Sequence, residues 1–277
     1  MVRRTLVFVA FLAATFAAVP ANAQYRGSFA ARNPATGETY HVETRFGYWN
    51  PTPDLWISTE PFGPLGAQIL DPRIDAVTDL GVQRKRFIDL HLILRPARKH
   101  KFGIDYIPIK YEAEAVLTRD IVFNGVTYTV TQPIQSTLDW KFYRFSYEYD
   151  FVYRDRWYLG FMVDVKYNRV AIALDSPGVR GSAAVTAPIP ALGGVVRVYP
   201  VSNLSFTAEV TAFRWPRQII KEYRGGYIDY DLYMTANIGD HFGTQAGYRS
   251  LDVGYAVKGV SGDFRLSGWY LAAVTRF

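Results

Sequence analysis

Side chains that alternate apolar and polar with a period of two, segment after segment, constrain this sequence more than anything else in it. Only an extended strand places residues i, i+2 and i+4 on one face. The alternation is clear from Tyr40 to Tyr48, where Tyr40, Val42, Phe46 and Tyr48 share one face and His41, Glu43 and Arg45 the other. It returns at Ile88–Leu94, with Ile88, Leu90, Leu92 and Leu94 set against Asp89 and His91. Trp157, Leu159, Phe161, Val163, Val165 and Tyr167 form a further row, opposed by Asp164, Lys166 and Asn168. Leu192–Tyr199, Leu204–Thr211, Ile228–Ile238, Phe242–Val257 and Phe264–Phe277 keep the rhythm. Two segments change phase. Phe102, Ile104 and Tyr106 give way to Ile109, Tyr111, Ala113 and Ala115, with Lys110, Glu112 and Glu114 opposite; Leu138, Trp140 and Phe142 give way to Phe145, Tyr147, Tyr149 and Phe151. Such a change needs a bulge, and Pro108, which lacks a ladder donor, marks the place for the first.

The N-terminus says where these strands go. Arg3 and Arg4 precede an apolar run from Leu6 to Val19 that ends at Ala21-Asn22-Ala23, the pattern of a secretory signal cleaved before Gln24. Residues 1–23 are thus expected to be removed, leaving 24–277 as one domain. Past the signal no apolar run approaches the roughly 20 residues of a spanning helix. With 20 Tyr, 18 Phe and 6 Trp the chain is nonetheless 16% aromatic, as expected of strands whose outer rows meet lipid and whose rings gather at the interfaces. There is no cysteine, so packing and hydrogen bonds alone must hold the fold. Removing the two signal arginines leaves 29 Lys+Arg against 25 Asp+Glu, too mild and too scattered an excess for nucleic-acid binding.

The connections alternate in length. Short links fall at Pro96–Lys99, Tyr153–Arg156, Pro200–Asn203 and Gly239–His241; long ones fall at residues 50–86, 117–135, 174–189, 214–226 and 258–263. Ten spans with tight turns on one side predict an all-β, transmembrane, antiparallel up-and-down β-barrel, with eight or twelve strands as alternatives. The tight turns and both chain ends then face the periplasm. Within the second long link, Ile121–Tyr128 reads as two strands joined at Asn124-Gly125, a strong hairpin signal that would extend the wall outward. The first, with four prolines between Pro51 and Pro64, is a cap, an inward plug or an extra strand pair.

Trp269–Phe277 alternates and ends on an aromatic residue, with Leu271 and Trp269 in phase with Phe277. This resembles the closing strand of bacterial outer-membrane barrels, and Thr275 departs from the bulky residue often found there. Asp79-Leu80-Gly81 through Leu94-Arg95-Pro96, with Leu138-Asp139-Trp140 and Tyr143–Tyr149, is similar to a small-barrel group of exported proteins to which no activity is attached. These resemblances imply an outer-membrane location, Phe277 as an assembly signal, and as partners the barrel-assembly machinery, periplasmic chaperones, outer-membrane lipids and lipopolysaccharide.

Candidate chemistry is sparse. The alternation places Glu43, Arg45, Asp89, His91, Asp105, Lys110, Glu112, Asp139, Lys141, Arg144, Glu148, Asp150, Asp164, Lys166, Arg197 and Glu209 inward with both signs mixed, so the lumen is expected to be a charge network, since unpaired charges in a dry interior cost several kcal/mol each. His41 and His91 beside Glu43, Asp89 and Arg45 form the one group that could bind a metal, although an internal network of paired charges is the simpler reading. Asp240-His241 resembles the Asp/His pairs of the omptin proteases but falls at the periplasmic end, whereas those act at the outer rim. Trp49, Trp56 and Tyr48 offer a carbohydrate platform, and Trp140, Trp157 and Tyr158 fit an interfacial girdle. No nucleophile elbow, phosphate loop or cofactor motif occurs. The expectation is a non-enzymatic barrel, structural or a narrow channel for small solutes. The alternatives are surface binding through the Asn124 hairpin and the Pro51–Gly81 segment, or, third, a barrel enzyme acting on lipid or peptide.

Overall fold

The computed structural model describes residues 35–58, 73–214, 223–257 and 260–277; the signal segment lies outside them. The described residues contain no helix. Their strands are β1 (Val42–Ser58), β2 (Arg73–Asp75), β3 (Phe87–Ala97), β4 (His100–Val116), β5 (Ile121–Phe123), β6 (Val126–Tyr128) and β7 (Pro133–Arg154), followed by β8 (Trp157–Ser176), β9 (Val179–Val201), β10 (Leu204–Arg214), β11 (Tyr223–Ile238), β12 (Phe242–Val257) and β13 (Val260–Arg276). β1, β3, β4 and β7 through β13 pair antiparallel, each with its neighbour, and β13 returns to β1 from Glu43↔Arg276 to Ser58↔Ser261. The wall is a closed ten-stranded meander, which removes the eight- and twelve-strand alternatives.

On β1, β3 and β8 the outward rows are those the sequence shows. Trp157 to Tyr167 on β8 is the fullest, every second side chain exposed. The ten steps from Trp157 to Tyr167, at about 3.3 Å each and tilted about 40°, rise about 25 Å, the height of a lipid-facing band. Tyr106, Tyr143 and Tyr167 form a ring row at its outer edge, with centroids 4.7 and 6.4 Å apart, and Tyr230, Tyr248 and Trp269 continue it on the far side at 6.5 and 5.3 Å. Trp157 belongs to the inner-edge girdle. Tyr158 and Trp140 do not: both are buried inside the barrel.

The expected phase changes are absent. β4 pairs β7 without interruption from His100↔Tyr149 to Val116↔Pro133, and the odd residues of β4 point inward throughout. Ile109 and Tyr111 are interior; Lys110 and Glu112 stand on the outer wall as an ion pair 2.5 Å apart. Likewise Leu138, Trp140 and Phe142 share the inner face with Arg144, while Asp139 and Lys141 point outward. The interior itself changes from charged to apolar with height, and sequence alone cannot tell that from a flipped strand. Pro108 sits just past Leu90↔Tyr106, the last β3–β4 pair, so its missing N–H faces an unpaired edge. The bulges lie at the turn end instead, at Arg95-Pro96, Asp150-Phe151 and Tyr199-Pro200, each opposite a single residue.

The long side also differs from expectation. Residues 174–189 are mostly strand, since β8 and β9 continue to a Pro177-Gly178 turn, and β12 and β13 likewise run to 257 and from 260. The link 214–226 falls partly on 215–222, outside the described residues. The β5–β6 hairpin forms as predicted, with Asn124 and Gly125 both at positive φ, but as a separate two-stranded sheet rather than a wall extension. In the described part of the first link, β2 pairs Trp56–Ser58 of β1, and Ile74, Leu80 and Val82 are buried, an inward-folding cap.

Strand phase is open to direct test. Lys110→Cys and Lys141→Cys in intact cells are expected to react with a membrane-impermeant maleimide, and Ile109→Cys is not. Labelling of Ile109→Cys alone would restore the bulge at Pro108.

Candidate functional site: the lumen and the strap beneath it

At the turn end, residues 35–41 cross the barrel mouth before β1 begins. The backbone N–H groups of Ala35 and Thr36 donate to the carbonyls of Asp155 (3.3 Å) and Ser202 (2.8 Å), and that of Gly37 donates to Asp240 Oδ1 (3.0 Å). Asp240, of the Asp240-His241 pair, thus anchors the strap. Gly37 has φ +79°, the left-handed region that favours glycine, and Arg276 Nη1 lies 2.6 Å from where a Cβ would stand. Glu38 is the centre of the strap. Its carboxylate accepts hydrogen bonds from Arg95 (3.1 Å), Arg197 (3.0 Å), Tyr153 (3.3 Å) and Tyr199, and Arg95 also donates to the Arg98 carbonyl at 2.8 Å. All four tight turns are therefore tied to one short segment. Burial alone would raise the Glu38 carboxyl, but Arg197, Lys101, Arg95 and the Tyr199 hydroxyl reverse this and hold it at about 2. Tyr40, expected on the lipid face, lies under the strap with Arg95 and Arg276 over its ring at 5.1 and 5.6 Å, and burial pushes its hydroxyl well above the usual range.

Above the strap the lumen is a packed charge network. Glu43 pairs with Arg276 at 2.5 Å, and Lys101 with Glu148 at 2.6 Å and Asp150 at 3.0 Å. Arg45 meets Asp89 at 3.1 Å, Asp105 at 3.8 Å and Asp231 at 3.7 Å. Arg144 reaches Asp164 at 2.8 Å and Asp105 and Glu209 at 3.6 Å. Lys166, 0% exposed, is held 2.6 Å from both Asp164 Oδ2 and Thr211 Oγ1, and Arg249 grips Asp229 with two nitrogens at 3.1 and 3.2 Å. Arg197 donates to the Thr207 and Tyr233 hydroxyls, and Tyr270 donates to Asp231 at 3.0 Å.

The outer half of the lumen is filled by apolar side chains. Trp49, Ile107, Ile109, Tyr111, Trp140, Phe142, Leu251 and Leu266 are all at most 2% exposed. The indole N–H groups of Trp49 and Trp140 donate to Gly268 O (3.1 Å) and Asn168 Oδ1 (2.8 Å). Over them fold the cap residues Ile74, Leu80 and Val82 and the hairpin residues Ile121, Phe123 and Tyr128, the last donating to Leu174 O at 2.9 Å. Between cap and wall a cavity of about 30 Å³ remains, lined by Leu55, Ile74, Leu80, Val82, Leu138 and Phe264, room for a molecule the size of water.

Of the residues predicted for the lumen, Glu43, Arg45, Asp89, Asp105, Arg144, Glu148, Asp150, Asp164, Lys166 and Arg197 are buried there, with His91 and Glu209 beside them at Asp105 and Arg144. Lys110, Glu112, Asp139 and Lys141 are not. His91 Nδ1 lies 2.6 Å from Asp105, while His41 is exposed with Nδ1 on the Arg95 carbonyl at 3.1 Å; the two histidines do not converge, and among the described residues no group of three or more acidic or histidine side chains is arranged for a metal. The carbohydrate platform is dispersed as well. Tyr48 faces out, Trp49 is buried, and Trp56 is stacked by Arg73 at 4.4 Å. Sequence reasoning missed Glu38, Arg95, Lys101, Arg249 and Arg276; carrying the alternation one step further along β12 and β13 would have found the last two.

A scan of family models and a search of curated proteins found no match. Among solved structures, the outer membrane protease OmpT from Escherichia coli aligns over 89% of this chain and 99% of its own with a TM-score of 0.55 at 8% identity. The fold is that of a bacterial outer-membrane barrel. The attachment invasion locus protein Ail of Yersinia pestis (85% and 97% covered, 9% identity) and the Pseudomonas putida toluene transporter TodX (89% and 93%, 8%) align at TM-scores of 0.36 and 0.35. At such identities the likeness of this outer-membrane barrel to OmpT is one of fold alone.

Two outcomes follow from the geometry. Arg144→Leu leaves Asp105, Asp164 and Glu209 short of a partner and is expected to cost about 3–5 kcal/mol in denaturant unfolding from detergent micelles; Arg144→Leu with Asp164→Leu should lose less than the sum of the two singles. Glu38 has a folded value near 2 against an ordinary 4.5, so its contribution, about 3 kcal/mol at most, is complete above pH 4.5 and is lost as pH falls toward 2. Unfolding of Glu38→Gln compared with wild type across that window should show the dependence flattened.

Proposed function

We propose that the chain is a non-enzymatic outer-membrane barrel with a closed lumen, a structural element of the membrane rather than a standing channel. One observation carries the reading: the interior is occupied at every level, by the strap at Glu38, by the charge network around Arg144 and Lys166, and by the Trp49–Trp140 layer beneath the cap. A ten-stranded barrel is only slightly wider than the roughly eight strands at which side chains fill the interior, and here they fill it. All four histidines, His41, His91, His100 and His241, lie in the turn half of the barrel, so the outer rim has no imidazole for proton transfer, and the proteolytic activity named for OmpT is not carried over to this chain.

A second reading has its own support. β8 continues nine residues beyond Tyr167 to Ser176, so the β7–β9 wall stands above the membrane as a projection, and Ser182, Ala183, Ala184, Val185 and Thr186 are exposed on both of its faces. Surface binding through that projection is the alternative. The Asn124 hairpin is a poorer instrument for it, because Phe123 and Tyr128 are spent on the internal apolar layer.

Purified wild-type protein in planar bilayers is expected to give no stepwise conductance, and Lys166→Ala none either, because the apolar layer above Lys166 remains. Regular conductance steps from the wild type would overturn the closed barrel in favour of a channel.

A further inference from the structure

The phase of β4 and β7 puts on the outer wall charges that alternation alone would place inside. Lys141 on β7 is the direct cross-strand partner of Arg169 on β8. Opposed side chains on one face of a sheet stand about 5 Å apart, and like charges so placed repel. Among the described residues neither cation has an ion-pair or hydrogen-bond partner, and the carboxylates within reach are largely committed. Glu112 is taken by Lys110 at 2.5 Å and Glu114 accepts from Gln135 at 3.0 Å, while Asp139, opposite Lys110 in register, makes no ion pair with Lys141 or Arg169. Lys85 and Arg86 are exposed where the chain enters β3.

The height of the pair identifies what it meets. One row nearer the membrane centre lie the rings of Tyr106, Tyr143 and Tyr167, and one row below those lie Ile104, Phe145 and Val165, which face lipid. Interfacial rings mark the headgroup level, so Lys141 and Arg169 stand where lipid phosphates lie. The other side of the barrel has the opposite sign at its rim: Asp54, Asp252 and Asp263 surround Arg265, which reaches Asp252 at 2.7 Å and Asp54 at 3.9 Å. We propose that the outer face of β4, β7 and β8 is a binding site for a phosphorylated lipid headgroup of the outer leaflet, its phosphate held between Lys141 and Arg169. A phosphate bridging the Lys141 ammonium and the Arg169 guanidinium removes their repulsion and accepts hydrogen bonds from both. The site depends on strand phase and membrane placement, not on whether the lumen conducts.

The test uses the processed full-length protein in nanodiscs of phosphatidylcholine, with or without a minor fraction of a bisphosphorylated glycolipid, and reads lipid retention by native mass spectrometry and thermal unfolding by tryptophan fluorescence. Wild type is expected to retain the glycolipid and to be stabilised by it, less so at high salt. Lys141→Ala with Arg169→Ala should weaken retention about 25-fold, about fivefold per cation, and the charge-matched Arg98→Ala with Lys99→Ala at the periplasmic turn should leave it unchanged. Should the double variant fail the heat-shift assay for a folded barrel, Lys141→Gln alone is expected to weaken retention about fivefold. Undiminished retention in folded Lys141 and Arg169 variants, or equal loss in the turn control, overturns the site. Stabilisation by inorganic phosphate equal to that by the glycolipid overturns the lipid as its source.

Discussion

A sheet immersed in hydrocarbon can leave no backbone N–H or C=O unpaired, because no water is there to take its place. The β1–β13 ladder meets that demand, and everything else in the molecule presupposes it. Its sixteen-residue register from Glu43↔Arg276 to Ser58↔Ser261 joins the two ends of the chain, and at its base Phe277 O accepts from both His41 and Val42 while Phe277 N–H donates to Val42 O. The final residue is thus part of the closure itself. Where strands outrun their neighbours, as β4 does beyond Tyr106 and β1 beyond Trp49, the free edges lie outside the membrane and are handled by Pro108, by β2 and by the cap.

Closure creates an interior that lipid cannot enter, and the sequence fills it in two different ways. The half nearer the tight turns holds charges that would be prohibitive singly, made tolerable because they are paired with opposite charges, several of them shared between two or three partners. The outer half is packed like a soluble core, with two tryptophans whose N–H groups each find an acceptor. The strap completes the first half as the cap completes the second. Without Glu38, the Arg95 and Arg197 guanidinium groups at the mouth would lose their shared carboxylate.

The exterior is ordered by the same two boundaries. Aliphatic and aromatic rows cover the hydrocarbon height, rings mark its edge, and charge begins one row beyond. That charge is unevenly arranged around the barrel: Lys141 and Arg169 stand side by side on β7 and β8, whereas Asp54, Asp252 and Asp263 lie around Arg265 on β1, β12 and β13. No stretch of sequence announces the Lys141–Arg169 pair, whose members come from two different strands.

What the sequence by itself determined was the local and repetitive part. Period two gave the ten spans, the turn residues gave the four tight connections and the Asn124-Gly125 hairpin, and alternation in β1, β3 and β8 gave the correct faces for Arg45, Asp89, Asp164 and Lys166. These are legible because a strand's faces are set by its own backbone. Absolute phase was another matter in β4 and β7, where Lys110, Glu112 and Lys141 were assigned inward. An apolar row reads the same whether it faces lipid or a packed lumen, so only the unbroken β4–β7 register could decide. The strap at Glu38, the apolar outer layer and the Lys141–Arg169 pair likewise exist only once distant strands are adjacent, since each is a relation between residues that share no local signal.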